Sequence, residues 1–294
     1  MKAQFILPEF FFGVPIYGEF NKISKKYPDI LYPDTEIYSI FGIFPGSIWN
    51  GGGFTTNGTV SKETIEELIK FYNDELNISL SFTFTNPILE EKHYYDTYSN
   101  LIAELGNNGK NIILVSDTKF ESYLRKNYPN YRYVRSIIAT ENDFYSLESP
   151  YGKYDMSVLA RRKNNDWEYL NSIPMEDRSK IEILCNERCI NNCPNAYNHY
   201  RTMAEAQLQL KDKDSSELCQ YQGIFSYKDM KDKSTSYISR SMIDKIYLPN
   251  GFNKFKCSGR FSQSSIILIL LNYLIKPEYH DDLFKILLSS INVN

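Results

Sequence analysis

The residues with the most chemistry in them are five cysteines, four of which fall between Cys185 and Cys219. Cys185, Cys189 and Cys193 follow one another with three residues between neighbours, so a loop can bring three thiolates onto one metal ion or cluster. A fourth donor is then required, and Cys219, Cys257 and His199 are available. Soft thiolates without regularly spaced histidines select iron–sulfur or zinc over a hard cation. A proline directly after a cluster cysteine, here Pro194, is a feature of ferredoxin-type runs, although the spacing differs from theirs and from the C-x3-C-x2-C of radical-SAM enzymes. The plainer alternative is that free cysteines are small buried hydrophobes. That suits Cys185, at the end of an apolar run, better than Cys189 and Cys193, which stand among Asn186, Arg188, Asn191, Asn192 and Asn195. The expectation is a 4Fe-4S cluster, with zinc as the alternative.

Clustered cysteines in odd number are unlike the distributed framework of a secreted disulfide protein and point to a reducing compartment. The amino terminus meets Pro8 and Glu9 before any long apolar segment, and the most apolar stretch, Ile266 to Ile275, is too short to cross a bilayer. A cytoplasmic protein without membrane partners is expected. A net charge of −3 and a pI near 5.8 give no general pull toward DNA, whose binding is largely counterion release by clustered Lys and Arg.

The elements that would carry the cysteines alternate short β-rich runs with helical stretches. Strands are expected at Ile37 to Gly42, Ile78 to Thr83, Asn111 to Val115, Tyr133 to Ile138, Asp155 to Ala160 and Ile181 to Cys185, with weaker candidates at Tyr237 to Ser239 and Lys254 to Cys257. Between them, Ser61 to Glu75 reads as a helix capped by Ser61, its apolar face built from Ile65, Leu68, Ile69 and Tyr72. Further helices are expected at Tyr95 to Leu105, Lys119 to Asn127, Trp167 to Ile173 and Ser262 to Leu274. Eight strands alternating with helices over 294 residues predict an α/β fold, a (β/α)8 TIM-type barrel. It would be one domain, 1–294, with a cysteine-rich insertion at about 185–235.

In such a barrel the chemistry is built from the loops after the strands' carboxyl ends. Those loops offer Asn50, Asn86, Asn165 and Asp166, with Arg260, as substrate-binding groups, and Glu187 as a general base beside the cysteines. The run Gly51-Gly52-Gly53 is neither a dinucleotide fingerprint nor a Walker loop and reads as a tight turn needing positive φ. Neither H-E-x-x-H nor G-x-S-x-G occurs, so hydrolysis would fall to Cys189 as nucleophile with His199 as base.

The stretch Cys185-Asn186-Glu187-Arg188-Cys189-Ile190-Asn191-Asn192-Cys193-Pro194, with His199-Tyr200 after it and Phe255-Lys256-Cys257-Ser258-Gly259-Arg260 before a long helix, resembles the barrel proteins of the collagenase-like peptidase superfamily. Phe44 to Gly52 resembles a further branch of it. The resemblance implies the barrel, and either an iron–sulfur protein that assists hydroxylation of a small quinone precursor or of RNA, or a peptidase. By position it implies Cys189, Cys193 and Cys219 as cluster ligands. Cys185 stands where an apolar residue is expected, and Cys257 where many relatives carry the glutamate of a Lys-Ile-Glu-Gly-Arg run, so these two compete for the fourth place. A non-catalytic protein with structural zinc is the remaining reading. Substrate and oligomeric state are left open by the sequence.

Overall fold

A computed structural model describes residues 1–51, 58–142, 154–187, 194–211, 237–259 and 263–291. Eight parallel strands close into a barrel in chain order: β1 (Ala3–Pro8), β2 (Thr35–Gly42), β3 (Ser79–Phe84), β4 (Ile112–Val115), β5 (Arg132–Arg135), β6 (Met156–Val158), β7 (Ile181–Leu184) and β8 (Lys254–Lys256). Closure comes from β1, which pairs with β2 on one side and with β8 on the other.

The expected (β/α)8 architecture is therefore present, but two strand assignments change. Ala3–Pro8 is the first strand, although Phe5, Ile6 and Leu7 read in sequence only as a short apolar run. The expected strand at Tyr237 to Ser239 is absent: the Ile238 N–H donates to the Cys185 carbonyl at 2.8 Å, and the chain then turns into a helix at Arg240. One hydrogen bond to a strand end makes no ladder. The strand expected at Tyr133 to Ile138 also stops at Arg135, because a helix begins at Ile137.

Helices cover the outside: α1 (Val14–Lys26), α2 (Lys62–Lys70), α3 (Thr97–Leu105), α4 (Thr118–Asn127), α5 (Ile137–Asn142), α6 (Trp167–Ser172), α7 (Met175–Arg178), α8 (Ala196–Leu208), α9 (Arg240–Met242), α10 (Gln263–Tyr273) and α11 (His280–Ser289). Helix α2 begins as its sequence dictates. The Ser61 hydroxyl accepts from the Thr64 N–H at 3.2 Å, and Ile65, Leu68, Ile69 and Tyr72 are buried along one face. Its last turn, Phe71–Glu75, widens to a π-turn. Among the described residues no helix is long and apolar enough to cross a membrane. Within the expected insertion at about 185–235, the described residues contain α8.

Two apolar layers follow from the period-two alternation of the strands. Leu80, Phe82, Ile183 and Phe255 face outward into the large cluster beneath the helices. Ile112, Leu114, Val134, Met156, Val158 and Leu184 face inward. Strand β2 breaks the alternation once. Phe5 pairs with Ile37 but Ile6 with Ser39, so Tyr38 is an extra residue in the ladder. A bulge of this kind reverses the phase of the residues beyond it. Ile40 accordingly joins the outer cluster, while Phe41 is brought to the inner mouth of the barrel.

Candidate active site at the barrel mouth

The carboxyl ends of the strands surround a cavity of about 310 Å³. Phe41, Thr83, Leu114 and Leu184 rise from β2, β3, β4 and β7 at its base. Its charged side chains and its histidine are Arg161, Glu187, Lys256 and His199. Helix α8 lies over it, presenting Ala196, His199, Tyr200 and Met203, a stripe at the spacing of one helical face.

Each group is held by the loops. After β6, Arg161 opens a short 3₁₀ turn, and the Asn164 amide donates to the Leu184 carbonyl at 2.6 Å, binding that loop to β7. Asn186 clamps the loops after β7 and β8 together: its amide donates to the Ser258 carbonyl at 2.7 Å and its oxygen accepts from the Ser258 N–H at 2.6 Å. Glu187 comes directly after it in the chain, at the cavity. Lys256 is 6% exposed, its Nζ 3.5 Å from Oε2 of Glu182 and 4.4 Å from the centroid of the Phe41 ring. Burial, and then the Arg161 guanidinium, push the His199 imidazole below its ordinary value, with Glu187 opposing, so the ring is neutral at neutral pH. A neutral imidazole accepts a proton, and the two cations can offset negative charge that develops beside them.

Of the expected site residues, Glu187 lines the cavity. Asn50 and Asn86 do not. The Asn86 amide donates to the Ile48 carbonyl at 3.0 Å and to the Ala204 carbonyl at 3.2 Å, and Gln207 donates to the Ser47 carbonyl at 2.8 Å. Together these fasten α8 to the loop after β2. Asn50 accepts from the Thr83 hydroxyl at 2.9 Å, closing that loop onto β3. Asn86 thus holds α8 and Asn50 holds the loop after β2, and neither is among the residues that line the cavity. Asn165 accepts from the Tyr247 hydroxyl at 2.9 Å, and Asp166 caps α6 through the Tyr169 N–H at 3.0 Å while pairing with Lys163 at 2.6 Å. These two lie apart from the cavity as well. Arg260, Cys189, Cys193 and Cys219 fall outside the described residues. The glycine run also departs from expectation: Gly51 does not have a positive φ, and it is glycine because a Cβ there would strike the Thr85 carbonyl. Gly52 and Gly53 lie outside the described residues.

Cys185 and Cys257 are fully buried side by side, and burial with the neighbouring Cys257 thiol pushes the Cys185 thiol well up. Their neighbours in sequence, Leu184 and Lys256, line the cavity, so alternation turns both thiols outward into the apolar cluster beneath the helices. Among the described residues no three His, Cys, Asp or Glu side chains are grouped to hold a metal ion. The setting of Cys185 and of Cys257, the two rivals for a fourth ligand, is that of core thiols turned away from the mouth. Arg161, Tyr200, Met203 and Lys256 were not singled out from the sequence. The alternation Lys254, Phe255, Lys256, Cys257 was its one available signal, since it puts both lysines on the same face of β8.

The fold and this mouth define a (β/α)8 barrel with a cavity at the carboxyl end of its strands, apolar at the base and carrying four charged or imidazole groups. Among solved structures the chain is similar in fold to one described as "The Structure of the U32 Peptidase Mk0906", with a TM-score of 0.52 and 12% sequence identity, covering 89% of this chain and 94% of that one. The likeness is one of barrel architecture. No protein-family model and no curated protein matches the sequence.

Proposed function

We propose that this protein is a cytoplasmic barrel enzyme that modifies a small molecule, or a nucleotide of an RNA, inserted into the mouth beneath α8. The observation that supports this reading is the convergence of Arg161, Glu187, His199 and Lys256 on one cavity of about 310 Å³, the lower end of the range for small-molecule sites. Glu187 and the neutral His199 are the groups that take protons, and Arg161 and Lys256 those that steady negative charge. The cluster remains part of the proposal on sequence grounds, with Cys189, Cys193 and Cys219 as its ligands and the fourth donor drawn from elsewhere than the Cys185 and Cys257 pair. When bound, it would supply electron transfer.

The neutral imidazole of His199 also favours a second reading, a hydrolase in which His199 activates Cys189. Metal and sulfide analysis of anaerobically purified protein separates the two. Iron with acid-labile sulfide, and a charge-transfer absorbance lost in Cys189→Ser, is the expected result. Zinc without sulfide supports the structural-metal alternative. Metal-free protein whose hydrolytic activity is abolished by thiol alkylation at Cys189 supports the hydrolase and overturns the cluster.

A further inference from the structure

The barrel interior holds a column of charge that runs toward the mouth. At its amino-terminal end Glu36 accepts from the Gln4 amide at 2.6 Å, and the oxygen of Gln4 accepts from Lys254 Nζ at 2.9 Å. Lys254 is the register partner of Glu182 on the neighbouring strand; burial pushes its ammonium below the ordinary value, with Glu182 opposing, Arg132 adding to the fall and Glu36 opposing it. Above them Glu182, 2% exposed, has an oxygen that makes no hydrogen bond among the described residues and lies 3.5 Å from Lys256 Nζ. The signs alternate, −, +, −, +, which is how charges withdrawn from water hold one another in place.

The column ends on a cation at the cavity, and Arg161, 3% exposed, adds a second one. The carboxylate at the cavity, Glu187, is only half-buried, so solvent weakens its field more than those of the two buried cations. We propose that the mouth binds the oxyanion head, carboxylate or phosphate, of a small organic acid on Lys256 and Arg161, with the apolar body of that acid on Phe41, Leu114, Leu184 and Met203. An anion continues the alternation of the column, and the apolar side chains at the base and under α8 provide a surface for a ring or short chain. The assignment rests on the mouth being the substrate site.

Calorimetric titration of the full-length protein with benzoate, phenyl phosphate, neutral benzamide and cationic benzamidine tests it. Benzoate or phenyl phosphate is expected to bind at least about tenfold more tightly than benzamide, and benzamidine more weakly still. The anion preference should fall about tenfold in Arg161→Gln, and again in Lys256→Met/Glu182→Gln, which removes the ion pair as a unit and leaves Lys254 with Gln4 and Glu36. Benzamide or benzamidine binding as tightly as benzoate overturns the anion assignment while leaving the mouth as the site. Anion binding unchanged in both variants, or absent altogether, overturns it as well. Met203→Trp checks the mouth itself: if this bulk in the cavity leaves the binding of every probe unaltered, the site lies elsewhere and the reading of the mouth fails with it.

Discussion

The two halves of the barrel are built differently. Ladders of four to six register partners join β1 to β5, whereas β5 to β8 are joined by two or three. The first arc carries an aromatic mass on its outer face: the Trp49 ring meets Phe84 at 5.0 Å and Phe120 at 4.8 Å, and Phe120 meets Tyr94 at 4.9 Å. The second arc supplies Arg161, Glu182, Glu187 and Lys256. Long ladders and large rings stabilise by area, while short strands leave loops free to place charge. The difference separates a half that holds the fold from a half that holds the site.

The sharpest test of that division is Trp49→Ala. Trp49 is fully buried and its indole N–H donates to the His93 carbonyl at 2.8 Å. Truncation should cost about 4 kcal/mol in denaturant unfolding. Probe binding at the mouth of the remaining folded protein should be unchanged. A loss under about 1 kcal/mol would show that the aromatic mass does not anchor the first arc.

In the second arc the largest effect should come from Lys256→Met, because it leaves the Glu182 carboxylate buried without its nearest cation. A destabilisation of about 3 kcal/mol is expected, most of it recovered when Glu182→Gln is added. If the double variant is no more stable than the single one, the two side chains are not a coupled pair and the second arc draws no stability from its charges.

Legibility in the sequence divides along the same line. Helix α2 was readable from Ser61 and the spacing of Ile65, Leu68, Ile69 and Tyr72, because cap and period are local. Strand β4 was readable from its run of apolar, largely β-branched residues. Strand β1 was not, because its pairing with β8 joins the two ends of the chain, a relation with no local mark. The same holds for the mouth. Lys254 and Lys256 alternate with Phe255 in plain view, yet which face of β8 turns inward is decided only by closure of the barrel. Asn50, Asn86 and Asp166 were correctly placed on loops after strands, but capping and loop-fastening use the same residue types as ligand binding. Cys185 and Cys257 show the converse: closeness to Cys189 in sequence for one, and a place at the end of the last strand for the other, suggested a fourth metal ligand, and strand alternation turned both thiols into the core.

A smaller effect in the first arc tests whether buried amides matter there as much as rings. Asn111 is fully buried; its oxygen accepts from the Leu80 N–H and from Asn73, each at 2.9 Å, and its amide donates to the Gly106 carbonyl at 3.0 Å. Asn111→Ala orphans the Leu80 N–H, a strand donor, and takes from the Gly106 carbonyl one of its two donors, the other being the Asn108 N–H, for an expected loss of about 2 kcal/mol. A neutral outcome in urea unfolding would mean that water replaces the amide and that the start of β3 is less dry than its packing indicates.

The smallest expected effect lies in the second arc and is a slope rather than a step. Burial and Arg161 hold the His199 imidazole below its ordinary value of 6.5, so the unfolded chain binds the proton more readily than the folded one. Stability therefore rises with pH across this region. The contribution is fully present above the unfolded value and is lost as pH falls from there through the folded one. His199→Gln should flatten this part of the stability profile, measured by urea midpoints at a series of pH values. Arg161→Gln should flatten it in part, since burial is the larger cause and remains. A profile unchanged by both variants would separate His199 from Arg161, and with it remove the electrostatic link between α8 and the loop after β6 on which the mouth is assembled.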